Sequence, residues 1–371
     1  MEFTIDRDIF LKSVGYANGI IEKKTTLPIL SNILIEAKES KIKITATDLD
    51  IVCFEKITPI EIKKEGSTTT SSSILYDILR KLQSGSKVEL ALQTTNKLKL
   101  VSGKSKFNLL CLPSDNFPLT EENAEQENFQ ISSQKLLKLL NKTKISISND
   151  ETRHYLNGIY LHKTKLENKS FLCGVATDSH RLSSSSIEID PNIKIESIIL
   201  PKKTIFQLIS LLDQGDNDIK ISISKSKIRF EMGTIVLTSK VIDGRFPDYN
   251  KVIPKNNDKT LEMKLIEFKN SIDRVTTVSS DHKEGLKMSI SKNEVQLSVN
   301  NPNSGEGVEN INAKFNSDQL NISFNSRYLT DIASQIENES IIINLKDPGS
   351  PVLIRDFSDK NTFHVVMPMK I

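Results

Sequence analysis

Three stretches of the chain open alike. Phe3 to Asp6, Phe129 to Ser132 and Leu261 to Lys264 each read as a short alternating strand followed by a helical pattern. The helical faces are Phe10, Val14 and Ala17, then Leu136, Leu140 and Thr143, then Phe268, Ile272 and Val275. Apolar or small residues at i, i+4 and i+7 lie along one side of an α-helix. A second helical face follows in each stretch: Leu75, Ile78, Leu79, Leu82; Ile205, Leu208, Ile209, Leu212; Leu329, Ile332, Ala333, Ile336. Between the helices run alternating segments such as Ile42 to Asp48 and Phe171 to Asp178, and paired strands follow the second helix. The stretches close on Phe117-Pro118, Phe246-Pro247 and Met367-Pro368. Generic patterning would not keep two helices and one closure in the same order three times. The expectation is an α+β chain of three tandem pseudo-equivalent domains, each with two helices packed on antiparallel sheet. The boundaries are placed at 1–125, 126–253 and 254–371.

Composition supports folded domains and advertises no partner. The 371 residues are 37% hydrophobic and 26% charged, too apolar for a disordered chain. Lys plus Arg is 50 against 47 acidic residues, a net +3, so an anionic partner must be met by a local patch. No apolar run is long enough to span a bilayer, and the first eight residues carry charges that do not suit a signal peptide. Cys53, Cys111 and Cys173 are odd in number and form no C-x-x-C, which argues against a disulfide scaffold or zinc ribbon and for a reducing cytoplasm.

Catalytic equipment is sparse. No Gly-rich dinucleotide or phosphate loop occurs, no nucleophile elbow, and the five histidines form no H-E-x-x-H. Asp178, Ser179 and His180 are consecutive, whereas a triad converges from separated positions. The expectation is a non-enzyme with no metal and no cofactor. The string from Ala176 to Leu182 reads as a strand end with a polar turn or as a partly exposed recognition edge. The string from Thr152 to Leu161 reads as entry into a core or as part of the same edge.

The order of LPILSN at Leu27 to Asn32, TRHYLNG from Thr152, ATDSHRL from Ala176, LPKK from Leu200, DGRFPDY at Asp243 to Tyr249 and VVMPMK at Val365 to Lys370 resembles the bacterial sliding-clamp family, the β subunits of replicative DNA polymerases. The resemblance covers the whole chain. It implies a head-to-tail dimer closed into a six-domain ring, with helices around a hole that encircles duplex DNA. It also implies a non-catalytic processivity factor that binds the replicative polymerase, other replication and repair proteins, and an ATP-driven clamp loader. A stand-alone DNA-binding regulator is the alternative, but no helix-turn-helix or aromatic-basic interleaving supports it. Contacts that slide must be to phosphate, without base readout.

The resemblance also implies sites. A partner-peptide cleft between the second and third domains would use Arg153, Leu156, Thr177, Ser179, His180, Arg181, Leu182, Pro247, Lys251, Val252, Asn325, Tyr328, Val365, Val366, Met367, Pro368 and Met369. Leu156, Leu182 and the two valines suit a core equally well. Ser179 stands where relatives usually carry Gly, and Lys251 where Arg is common. DNA contacts would fall to Lys23, Lys24, Arg80, Lys81, Lys138, Lys142, Lys202, Lys203 and Arg274, although each also suits an ordinary solvated charge. The dimer interface would use Phe107, Thr277, Val278, Glu306 and Glu309, with the acidic pair facing Lys104 or Lys106 of the other protomer.

Overall fold

The computed structural model describes residues 1–22, 26–94, 96–118, 127–213, 217–279 and 285–370. Six α-helices are found among them: α1 (Arg7–Asn18), α2 (Ser72–Lys81), α3 (Ser133–Lys144), α4 (Lys202–Leu212), α5 (Leu265–Val275) and α6 (Ser326–Ala333). They are the two per repeat that the spacing demands. Phe10, Val14, Leu136, Leu140, Phe268 and Ile272 are all buried, as are Leu75, Leu79, Ile205, Leu208, Leu329 and Ile332. Several helices start on a side-chain cap that satisfies amides with no intrahelical partner. Asp6 accepts from the Asp8 and Ile9 amides at 2.9 and 3.1 Å, and Asn325 accepts from the Arg327 amide at 3.0 Å.

The chain packs as two compact units. The first is Met1–Gln134 with Phe206–Val241, and the second is Lys135–Ile205 with Ile242–Ile371. The central repeat therefore contributes to both. The first unit carries a thirteen-stranded sheet ordered Glu127–Ser132, Asp218–Ile223, Lys227–Met232, Ile235–Lys240, Ile51–Ile57, Lys41–Thr47, Asn32–Lys38, Gly66–Ser71, Ser105–Leu112, Lys97–Ser102, Lys87–Thr94, Glu2–Asp6, Glu61–Lys64. The central repeat joins the first where Leu237 pairs antiparallel with Cys53.

The second unit has a twelve-stranded sheet ordered Ile198–Pro201, Gly158–Leu166, Lys169–Thr177, Arg181–Ile189, Asp359–Val366, Val352–Asp356, Ser340–Leu345, Lys259–Lys264, Gly305–Lys314, Glu294–Asn301, Gly285–Ser291, Leu320–Asn325. Here the join pairs Leu182 with Val365 and Ser183 with His364. In the third repeat α5 packs so tightly on strand Gly305–Lys314 that a Cβ on Gly307 would lie 2.7 Å from the Val275 carbonyl oxygen. Only a residue without a side chain admits that approach. Phe268, fully buried on the inner face of α5, packs in a core with Leu261, Met288, Leu297, Phe324 and Leu329. Truncating a Phe so placed costs about 3–5 kcal/mol.

Candidate functional site

The cleft is built around the turn from Thr177 to Arg181. Both flanking strands are buried and β-rich, and the turn between them is held by its own side chains. Asp178 Oδ1 accepts from the His180 and Arg181 amides at 3.0 and 2.9 Å, and Thr177 Oγ1 accepts from the Ser179 amide while donating to the Arg181 carbonyl at 2.7 Å. These are the local bonds by which Asx and Thr compete with strand geometry. Ser179 takes φ +77°, in the left-handed region that favours glycine, so the turn suits the Gly of relatives and Ser adopts it at some cost. The three residues Asp178, Ser179 and His180 thus lie in a turn, not along a strand. Ser179 and His180 are exposed at its tip.

Arg181 is the hub. Its Nε donates to Asp178 Oδ2 at 3.0 Å and its Nη1 to Asp331 Oδ2 at 2.7 Å, and the guanidinium lies 4.4 Å from the centre of the Tyr328 ring. His180 flanks the same ring, its centroid 6.5 Å away and 24° from parallel. Burial raises the Tyr328 phenol above its ordinary range. Arg153 is held by Asp150 at 2.8 Å and reaches the Ser179 hydroxyl at 2.6 Å. Hydrogen bonds from Thr152, with the Arg153 charge beside it, pull the Asp150 carboxyl down to about 2. Two fixed guanidinium groups and an aromatic face suit the backbone and polar groups of an extended ligand.

Beneath these groups lies an apolar floor. Leu156, Val175, Leu182, Phe246, Leu353 and Val365 form one buried cluster, with Tyr155, Tyr160, Tyr249 and Phe363 packed against it. Leu156, Leu182 and Val365 act as floor, each 3% exposed or less. Val366 is a correction: strand alternation turns it away, into the core of the third repeat. The rim is apolar and open. Val252 is 49% and Met367 40% exposed, beside exposed Pro247 and Lys251. The C-terminal tail is tied across the site by two backbone bonds, Met367 N to the His180 carbonyl at 2.8 Å and Met369 N to the Ser323 carbonyl at 2.7 Å. Pro368 and Met369 are half-buried there, and Asn325 caps α6 below Tyr328. Sequence reasoning missed Asp178 and Asp331, which orient Arg181, and Phe246, Val175 and Leu353 in the floor. The spacing of Asp178 and Arg181 was a signal for the first. The others come together only through the fold.

The basic residues expected at DNA divide into two groups. Arg80 and Lys81 are exposed in the last turn of α2, and the Arg80 guanidinium pairs with Asp77, one turn earlier, at 3.2 Å. Lys202 and Lys203 open α4, and Lys202 donates to Asn149. Three others are ion-paired, and one of them, Lys142, is a correction. Lys142 is buried, donating to the Gln335 carbonyl and paired with Glu337 at 2.8 Å. Lys138 is shared between Asp359 at 3.1 Å and Glu337 at 3.3 Å. Arg274 is gripped by both oxygens of Glu309. Lys138 and Arg274 keep side chains 44% and 59% exposed beside those carboxylates, as Arg80 does beside Asp77, so a phosphate contact at them stays open. Lys23 and Lys24 lie outside the described residues.

Two strand edges fit an interface between copies. Strand Ser105–Leu112 pairs along one side with Lys97–Ser102, and on the other only Cys111 and Leu112 meet a neighbour, Thr70 and Thr69. Phe107 is half-buried on it, and Leu110, 80% exposed, was missed. Strand Gly305–Lys314 pairs along one side with Glu294–Asn301, and on the other only Ala313 and Lys314 meet a neighbour. Val308 is 52% exposed on it, Glu306 is exposed, and Thr277 and Val278 lie in the turn after α5. Within its own chain Glu309 pairs with Arg274.

Comparison with known proteins meets this geometry along the whole chain. The DNA polymerase III beta subunit models match in order: N-terminal domain at residues 1–121, central domain at 130–248 and C-terminal domain at 250–370. The beta sliding clamp of Caulobacter vibrioides is 35% identical over 374 residues, and that of Escherichia coli 33% over 372, each covering both chains fully. A crystal structure of the sliding clamp of Bartonella birtlesii bound to griselimycin superposes with TM-score 0.97 at 40% identity, covering 100% of both chains. Three family domains in their proper order, on a fold of three matching repeats, place this chain in the DNA polymerase III beta subunit family, the bacterial sliding clamps.

Proposed function

We propose that the chain is a DNA sliding clamp: a non-catalytic ring that encircles duplex DNA and tethers the replicative DNA polymerase to it. The observation that carries this reading is the full-length match to clamps through all three domains. The reading assigns domains at 1–125, 126–253 and 254–371, close to the family ranges, and a cytoplasmic location. It closes the ring by docking the open edge at Phe107 and Leu110 of one protomer onto the open edge at Val308 of its partner. Unpaired strand edges are templates for such pairing, and a head-to-tail contact makes a ring only if its rotation closes. DNA would be held mainly by encirclement. Lys23, Lys24, Arg80, Lys81, Lys138, Lys202, Lys203 and Arg274 would supply sequence-independent phosphate contacts.

The cleft at Arg153, Arg181, Tyr328 and the C-terminal tail would receive a short, largely apolar peptide from polymerase, ATP-driven loader and other replication or repair proteins. Exposed Met367 and Val252, with half-buried Met369, suit several partners because methionine repacks. The decisive experiment loads the protein on circular DNA and then linearises it. The clamp should slide off the ends, and retention after linearisation would sink the topological reading. Deleting Met367–Ile371 should abolish peptide binding and leave the dimer intact, and unchanged affinity by calorimetry would refute the cleft.

A further inference from the structure

The wall of the cleft formed by Pro247, Lys251 and Val252 cannot hold itself in place. All three residues are exposed. Lys251 has a single ion pair, to Asp248 at 3.6 Å, with both side chains in solvent. Their backbone forms one short turn, in which the Val252 amide donates to the Tyr249 carbonyl at 3.1 Å. What anchors the turn is a run of rings behind it. Phe246 stacks on Tyr160 with centroids 4.9 Å apart and planes 5° from parallel, and Tyr160 stacks on His162 at 4.7 Å. His162 Nε2 lies 3.0 Å from the Tyr249 hydroxyl. At the other end, Gly244 takes φ +148° and passes so close that a Cβ would meet that of Tyr155 at 3.1 Å. Phe246, Tyr160 and Tyr249 belong to the same apolar cluster as Leu156, Leu182 and Val365, the cleft floor. Tyr160 and His162 are on strand Gly158–Leu166, a separate element from every rim residue.

We propose that the stacked rings Tyr160, Phe246, His162 and Tyr249 are a positioning strut that fixes the 247–252 wall of the cleft and thereby sets its affinity for an apolar peptide. The proposal rests on the reading of this cleft as a peptide site. Stacked pairs hold their partners by geometry as well as by buried area. A wall fixed before binding spares the complex the entropy of ordering it. Without the strut the wall samples many positions, and the peptide must select one.

The test uses the full-length protein and a synthetic peptide copied from the clamp-binding tail of the organism's own polymerase, titrated by calorimetry. Tyr160→Ala and His162→Ala should each raise Kd about tenfold, the scale of a pre-organised anchor, with stoichiometry unchanged. Tyr160→Phe keeps the stack and should bind like wild type. Tyr249→Phe, which removes only the hydroxyl shared by His162 and Cys173, should fall between. A Kd unchanged in Tyr160→Ala and His162→Ala overturns the strut. So does a fall in stoichiometry at constant Kd, the mark of a variant that merely unfolds. If wild type itself does not bind the peptide, the cleft reading fails and the strut with it.

Discussion

The chain joins one repeat to the next twice, with the same backbone and opposite fillings. In the first unit strand Ile51–Ile57 meets Ile235–Lys240, putting Cys53 opposite Leu237 and Glu55 opposite Ile235. In the second, Arg181–Ile189 meets Asp359–Val366, putting Ser183 opposite His364 and Ser185 opposite Thr362. The helix beside each join carries matching positions. Lys12 and Tyr16 of α1 stand where Lys138 and Lys142 stand in α3, counted from the openings at Phe3 and Phe129. The first junction is an open cavity of about 370 Å³ lined by Lys12, Tyr16, Glu55, Leu211, Leu212 and Ile235 among others. The second is filled with polar side chains bonded to one another, although His364 Nε2 is buried without a partner among the described residues. Ser146 meets Ser183 and Ser183 meets His364, both at 2.7 Å, while Ser185 meets Thr362 at 2.9 Å. Lys138 and Lys142 share Glu337, and Asp356 accepts from the Glu337 amide at 2.7 Å. Strand pairing is enough to specify the join. What fills it decides how much a change there costs.

The largest expected effect is at Lys142. Replacing it with Met leaves the Gln335 carbonyl without its donor and Glu337 with Lys138 alone, and stranding an acceptor bonded to a buried charged group costs about 2–3 kcal/mol. Urea unfolding should show it, and a neutral result would mean that the network adds nothing to the second junction. Next comes a matched pair of enlargements. Ile336 and Leu212 hold the same place in the second and first junctions, and both are buried. Ile336→Phe should cost about 2 kcal/mol by overpacking, and Leu212→Phe less than about 1 kcal/mol because the cavity accepts the added carbons. Equal costs by urea unfolding would erase the contrast.

The smallest effect is a pH dependence. Burial, with the charges of Lys142 and Arg181 nearby and Asp359 and Asp356 opposing, depresses His364 to about 3. The unfolded chain takes up that proton near pH 6.5 while the folded one refuses it. This contribution is therefore complete above pH 6.5 and falls by about 1.4 kcal/mol for each pH unit below it. Urea titrations at pH 7.5 and 5.5 should show the loss in wild type and not in His364→Gln, while carboxylates shared by both chains cancel.

Much of this was legible in the sequence, for identifiable reasons. Helix faces are local, so Phe10, Leu136 and Phe268 announced three repeats before any contact was known. The turn at Asp178 was visible as a polar punctuation between strands, and motif order carried the cleft. What was hidden depended on distant partners. Lys142 looked like any helical lysine until Glu337 and the Gln335 carbonyl, far along the chain, closed over it. Arg274 and Glu309 were assigned to different surfaces although they grip each other. Val365 and Val366 were grouped together because they are adjacent, but a strand sends neighbours to opposite faces.

Because both joins are β-ladders, the repeat is not a piece that can be cut out. A fragment of residues 126–253 would carry strand Ile235–Lys240 without Ile51–Ile57, and strand Arg181–Ile189 without Asp359–Val366. Each bared strand would offer a full row of amides and carbonyls to the nearest copy. Such fragments should precipitate or form fibrils on their own, and should become soluble when co-expressed with the pieces that complete their sheets.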